Sequence, residues 1–504
     1  MTRPIPQERF RALIRAVTYT EEDMKRYGPI EDWDVSLIED FSYAFDGCEH
    51  FNRDLSRWDV SRATNMSCMF RDAYAFNAPI GGWDVGQVTD MSCMFRDARG
   101  FNQPLERWNT SRVKNMHGLF SGAWAFNQPI GGWDVGQVTD MSYLFSSVTV
   151  RDGWVSSTTS GAKVFNQPLG TWNTSSVTTM AGMFCDAGRF HQPVGEWDVS
   201  RVEDMRAMFS GARSFNHPLE GWDVSRVRNM REMFLGTNAF DQPLAGWDTS
   251  RVESMAYMFH YARAFHQPLD GWNTGRVRSM ESMFGDVGRF DQSVGSWDTS
   301  RVENFSGMFA NARNFNQPVG AWNTSAARDM SYMFYNAWRF NQPLEGWDVS
   351  RVRNMEGMFF SAEAFDQPLG RWNVSRVTTM RRMFRGALVF DQPLGRWDVS
   401  RVENMSSMFS VARVFNQELG RWDTGRVATM RRMFACTDAF RQPLDRWDVS
   451  RVKDMSEMFY VAAAFRQSLA RWALGPGVVN TDGMLPGHLR PRRCQGGVVA
   501  AVLT

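Results

Sequence analysis

Apolar and polar positions along this chain recur with a period of 25 residues. Taking the Trp that opens each unit as position 1, the register runs through Trp33, Trp58, Trp83, Trp108 and Trp133. It resumes at Trp172 and continues to Trp472, which makes 17 full repeats and one decayed start. The stretch Trp347 to Arg371, WDVSRVRNMEGMFFSAEAFDQPLGR, is representative. Position 8 is always Asn, Asp, Ser or Thr, and apolar residues follow at positions 9, 12, 13 and 16, as in Met355, Met358, Phe359 and Ala362. That i, i+3, i+4, i+7 spacing predicts a two-turn helix from position 9 to about 16, with position 8 as its N-cap. A Gly or Asp at position 15 suits the helix exit.

The rest of the unit alternates. Phe365, Gln367 and Leu369, and again Trp347 and Val349, are spaced as in short strands. Pro occupies position 22 in 13 repeats and cannot donate to a ladder, so the predicted ladder is short or runs mainly through positions 19 to 21. Asn or Asp fills position 20 in 13 of the 17 repeats, either as amides bonded from coil to coil or as a solvated polar column. The Asp-x-Ser after each Trp predicts an Asx-type turn. A fixed period in this range means a stack in which each coil covers its neighbours. The fold expected is an α/β repeat: a leucine-rich-repeat-like right-handed solenoid with one short helix and short parallel strands per 25-residue coil.

Composition shows how strict the pattern is. Phe holds positions 13 and 19 throughout, which uses 34 of the 38 Phe, and positions 9 and 12 use 29 of the 32 Met. Domain organisation follows from where the period starts, stretches and fails. Residues 1–32 form a capping-helix region in which Phe10, Leu13, Ile14 and Val17 keep helical spacing. Residues 33–471 form the solenoid, with an inserted loop near 147–160 where one period lengthens. Residues 472–504 form a decayed repeat and an irregular basic tail.

The formal charge of +1 and 43% hydrophobic content describe an ordered chain with no overall pull toward nucleic acid or membrane. No apolar run has the length of a membrane span and the start lacks a signal-peptide core, so an intracellular chain is expected. Six Cys in mostly unrelated slots read as reduced thiols, although Cys68 and Cys93 share a position on adjacent coils. Seven scattered His show no metal spacing, and neither a phosphate loop, HExxH, CxxC nor a unique Ser, His and Asp set is present. No enzyme activity, metal or cofactor is expected.

Charge does segregate locally. Residues 361–472 hold 18 Lys and Arg against 12 Asp and Glu. Position 25 is Arg371, Arg396, Arg421, Arg446 and Arg471, and position 5 adds Arg376, Arg401, Arg426 and Arg451. Stacking turns these into two positive columns, a candidate binding stripe for a polyanion, a nucleic acid or an acidic protein. Asp398, Asp423 and Asp448 lie two residues after the stripe and are candidates to neutralise it.

With WDVSxVxxM, MFxxAxxFNQPL and the entry YGPIEDWDVS at Tyr27 to Ser36, the chain resembles the BspA-like leucine-rich-repeat surface protein family over about residues 27–472. The resemblance implies a solenoid of the leucine-rich-repeat type and, for secreted members, adhesion or protein binding at the cell surface. It supplies no catalytic residues. The expected function is a non-enzymatic scaffold for protein–protein interaction through an extended surface, with polyanion binding by the Arg columns, or surface adhesion, as alternatives. Scattered thiols and imidazoles predict a melting temperature unchanged by chelator or reductant. A thermal melt with and without each checks it, and a sharp drop with either shows a structural metal or disulfide.

Overall fold

A computed structural model describes residues 4–15, 25–146, 149–151, 154–156, 164–475 and 479–485. The contact pattern divides the chain into two units, Met1–Val252 with Tyr261–Phe265, and Glu253–His260 with His266–Thr504. Both are built from the same coil.

The helix expected at positions 9–16 does not form. This segment is a chain of turns, and the α-helix named among the described residues is α1 (Gln7–Arg15), outside the repeats. The reason lies in positions 11 and 15, which take left-handed backbone. Arg382, Ser407 and Arg432 at position 11 have φ near +54° to +58°, and Gly211 and Gly386 at position 15 have +68° and +70°. Each left-handed residue closes a turn, as where Met358 N–H reaches Met355 O and Ala362 N–H reaches Phe359 O. Alternate N–H groups then point at the next coil instead of up a helix. Met355, Gly357, Phe359 and Ser361 donate to Thr379, Arg381, Met383 and Arg385 at 2.7–3.1 Å.

Positions 8 therefore meet in register as single parallel bridges, Asn354 with Thr379 and Thr379 with Asn404 among them. The position-8 side chain is not a helix cap. Asn354 Oδ1 accepts from Glu356 N–H at 3.0 Å, two residues on, which makes an Asx turn.

Among the described residues the expected short parallel strands do not form in the coils, and the backbone ladder is not at positions 19 to 21. Position 22 proline has no N–H to give, and side-chain oxygens accept the coil-to-coil bonds of that side. Asn341 Oδ1 accepts from Asp366 N–H at 3.0 Å and from the Gln367 amide at 3.0 Å; Asp366 does the same for Asp391 and Gln392 at 3.0 and 2.9 Å. The polar column is thus a coil-to-coil hydrogen-bond ladder. The described strands are β1 (Thr149–Arg151) and β2 (Trp154–Ser156), an antiparallel hairpin within the long repeat. The remainder of the 147–160 insertion and the tail beyond residue 485 lie outside the described residues.

Inside each coil the apolar columns are buried and the rings stack. Phe309 lies 5.8 Å from both Phe284 and Phe334, 3.9 Å from Phe315 and 6.2 Å from Trp322. Beyond the first repeat the position-1 indole N–H is satisfied one coil back, as where Trp372 donates to Leu344 O at 3.0 Å, while Trp33 donates to Gly28 O at 3.1 Å. At the start of the first unit, α1 places Phe10 edge-on to Phe41 at 5.2 Å, while Gln7 Oε1 accepts from Glu39 and Asp40 N–H at 3.0 Å. These are the donors that a preceding coil would satisfy elsewhere.

Two predictions follow from this packing. Phe309→Ala removes a ring with four ring neighbours and is expected to cost about 3–5 kcal/mol. Phe459→Ala, with two ring neighbours and Met484 as its cover, costs less. Denaturant melts of both check this. The second prediction concerns the Asx turns. Asp198, Asp248, Asp298, Asp348 and Asp398 sit below the ordinary carboxylate range because the Ser two residues on donates its hydroxyl and its N–H to each. A depressed folded value contributes stability that is present above the unfolded value and lost as pH falls through the folded one. Stability is therefore expected to hold near neutrality and to fall below about pH 4. Replacing Ser200, Ser300, Ser350 and Ser400 together by Ala, which leaves only the N–H donors, shrinks the difference between urea melts at neutral and acid pH.

Candidate functional site

Both Arg columns stand at corners of the coil. Position 25 lies inside the turn closed by Leu369 O and Trp372 N–H at 3.1 Å, and position 5 inside the turn closed by Val374 O and Val377 N–H at 2.9 Å. A corner residue has no inward face, so these side chains are exposed. The structure does not merge the columns: the position-25 arginines line one groove, and the position-5 arginines line separate clefts.

The groove is about 1050 Å³ and runs along the second unit past Arg371, Arg396, Arg421 and Arg446. Which of these guanidiniums is paired depends on position 24 of the preceding coil. Arg371 reaches Glu345 at 3.2 Å and Arg471 reaches Asp445 at 3.1 Å. Where position 24 is Gly370, Gly395 or Gly420, the corresponding Arg396, Arg421 and Arg446 have no carboxylate within 4 Å among the described residues. The same glycines open the groove floor. A Cβ on Gly395 would stand 2.7 Å from Glu418 O, so a glycine fits there without displacing the next coil. Gln417 and Gln442 add amides to the wall, and Glu345, Glu418 and Asp445 add carboxylates. The groove is mixed in sign.

The expected neutralisation by Asp398, Asp423 and Asp448 does not occur through ion pairs with the stripe. Asp398 and Asp448 are held by Ser400 and Ser450, with Arg401 and Arg451 the smallest influences on them, and Asp423 accepts from Gly425 N–H at 3.1 Å.

On the position-5 side the structure adds residues that the column reading missed. Arg353, Arg376, Thr378 and Arg401 line a cleft of about 290 Å³, and Arg328, Arg351, Arg353 and Arg376 line another of about 240 Å³. Arg426 and Arg451 line a third with Asp423. Arg328 and Arg353 belong to position 7, whose side chains share a corner with position 5 at a separation of two residues. That spacing was the available signal.

A further cluster lies on the turn side. Arg385 sits over the Phe360 ring at 5.4 Å, and burial, with Arg382 and Arg432 nearby, lowers its affinity for a proton. Arg432 is itself clamped by Glu457 through two bonds of 2.8 and 2.9 Å. In the first unit Cys68 and Cys93 are free thiols on adjacent coils. The neighbouring Cys93 draws Cys68 down to about 7, while Cys68 and burial push Cys93 up. Among the described residues no group of three or more His, Cys, Asp or Glu is placed to hold a metal ion. None of their helices is long and apolar enough to cross a membrane.

Stacked 25-residue coils with buried ring columns define a repeat solenoid. The chain belongs to the family described as "Mycoplasma protein of unknown function, DUF285", whose model matches residues 14–123, 78–153, 149–245, 217–319, 278–394 and 389–488. No curated protein matches the chain. Among solved structures it is similar to a leucine-rich-repeat protein from Bacteroides ovatus (9% identity, 70% of this chain and 81% of that one, TM-score 0.23). It is also similar to a leucine-rich-repeat protein of Leptospira interrogans (7% identity, 85% and 94%, TM-score 0.19) and to TLR13 in its complex with ssRNA13 (9% identity, 79% and 75%, TM-score 0.16). The solenoid itself rests on the coil geometry above.

Proposed function

We propose that the chain is a non-enzymatic interaction module of the leucine-rich-repeat kind, and that its groove along Arg371 to Arg446 takes an extended acidic segment of a partner protein. The observation that carries this reading is that Gly370, Gly395 and Gly420 stand at position 24 where Glu345 and Asp445 on either side pair with an arginine, which leaves Arg396, Arg421 and Arg446 without an ion pair in a row. Four arginines face three carboxylates in the groove, a net charge of +4 − 3 = +1. Mixed charge beside amides suits the alternating charge, amide and carbonyl groups of a polypeptide more than a uniform polyanion. Coil spacing of about 5 Å makes the four-coil groove long enough for roughly six extended residues. Surface adhesion, as in the secreted BspA-like proteins, is one setting for such binding.

The test is fluorescence anisotropy with a labelled Glu-rich peptide at low and high salt. The wild type is expected to bind with an affinity that falls as salt rises. Arg396→Ser, Arg421→Ser and Arg446→Ser combined are expected to weaken it about tenfold or more, given about 0.5–1 kcal/mol for each exposed pair. Absence of salt-dependent binding by the wild type, or equal binding by the triple variant, rejects the groove as the site.

A further inference from the structure

We propose that the two carboxylate-free clefts sharing Arg353 and Arg376 bind neighbouring sulfate groups of a sulfated polysaccharide. This site lies at a different corner from the groove and does not rest on the reading of it.

The argument begins with position 7, which alternates acid and base from Glu253 through Arg278 and Glu303 to Arg328. Glu303 lies between two arginines of the flanking coils, 3.8 Å from Arg278 and 2.9 Å from Arg328. Continued alternation would place an acid after Arg328. The chain has Arg353 instead, followed by Thr378, and the next acid at this position is Glu403. Arg353 therefore stands between another arginine and a hydroxyl that is already donated to its own carbonyl, at 3.1 Å.

Position 5 adds Arg351, Arg376 and Arg401 at the same corner, where Asp348 and Asp398 feel Arg351 and Arg401 less than they feel their own serines. Asp348 and Asp398 are held first by Ser350 and Ser400, and the residue equivalent to them in the coil of Arg376 is Asn373. Arg351, Arg353, Arg376 and Arg401 form no ion pair within 4 Å among the described residues, and no carboxylate lines either cleft. Guanidiniums held about one coil apart, roughly 5 Å, repel one another. An anion seated between them removes that repulsion and meets forked donors suited to a tetrahedral oxyanion.

The lining also discriminates among polyanions. Clefts of about 240 and 290 Å³ are the size of a small anionic group with its water, and each is shared with its neighbour through two arginines. No aromatic side chain lines them, so single-stranded nucleic acid would find charge but no platform for its bases. No amide side chain lines them either, unlike the groove. A chain of sugars bearing closely spaced sulfates needs neither.

The experiment uses the full chain and heparin as the probe, titrated at low and at physiological salt. Wild-type affinity is expected to fall steeply with salt as bound counterions are exchanged, the behaviour known for nucleic-acid polyanions. Thr378→Glu places an acid on the coil next to Arg353 and is expected to lower affinity about tenfold and flatten the salt slope, while Thr378→Val, which loses the same hydroxyl, leaves both unchanged. Arg353→Ser with Arg376→Ser is expected to act like Thr378→Glu. The groove variant, Arg396, Arg421 and Arg446 to Ser, retains heparin binding whether or not it binds acidic peptide, which keeps the two sites separable. Thermal melts confirm that each variant is folded. Three results overturn the proposal: no salt-dependent heparin binding by the wild type, undiminished binding by folded Thr378→Glu, or loss of heparin binding in the groove variant. Single-stranded DNA binding as tight as heparin, and equally sensitive to Thr378→Glu, assigns the clefts to nucleic acid and overturns the polysaccharide.

Discussion

Everything in this protein depends on where the N–H groups of positions 9, 11, 13 and 15 point. In a helix they would bond back within the segment and leave the coil tied to its neighbour by little backbone beyond the position-7 N–H, as where Thr378 donates to Arg353 O at 2.9 Å. Left-handed residues at positions 11 and 15 turn them outward, and Met355, Gly357, Phe359 and Ser361 bond to the coil that follows. A left-handed backbone costs a residue with a Cβ roughly 1–2 kcal/mol. The coil-to-coil bonds offset that cost, so Tyr, Arg, Glu and Cys are all found at position 11 beside the expected Gly.

This tie fixes the other columns. Once the turn side repeats at a set rise, Phe359 must stack on Phe384, and Phe365 on Phe390. The far side has no backbone donors at proline 22, so it is held by the position-20 ladder and by the indole N–H to the carbonyl one coil back. Inward positions are constrained by neighbours above and below. Corner positions are constrained by neither, and there the sequence varies in charge.

Much of this was legible from the residues. The period, the buried Phe and Met columns and the Asx turn after each Trp follow from residue type at fixed spacing, whereas residue type at position 20 left a coil-to-coil ladder and a solvated column equally open. The segment from 9 to 16 was misread because i, i+3, i+4, i+7 apolar spacing is shared by a helix and by successive tight turns that also return to the same side every three or four residues. The distinguishing signal was present at position 11, which is Gly in four repeats, a poor choice for the middle of a helix. The site was legible in part. Equal positions could be stacked on paper, but pairing runs between position 25 and position 24 of the preceding coil, a diagonal visible only once the coils are placed.

That diagonal decides how a charged column should be read. A row of arginines says little by itself, since an exposed guanidinium next to an exposed carboxylate is ordinary surface and contributes little. The informative places are those where a repeat that supplies the partner elsewhere omits it. Glu345 and Asp445 bracket three glycines, and Glu303 and Glu403 bracket Arg328, Arg353 and Thr378. In both cases the scaffold is unchanged while the counter-charge is missing. Like charges left stacked at coil spacing are unfavourable to the free chain. A ligand of opposite charge gains by relieving that repulsion as well as by its own contacts, and this is the physical ground on which binding is proposed at the gaps in the two ladders.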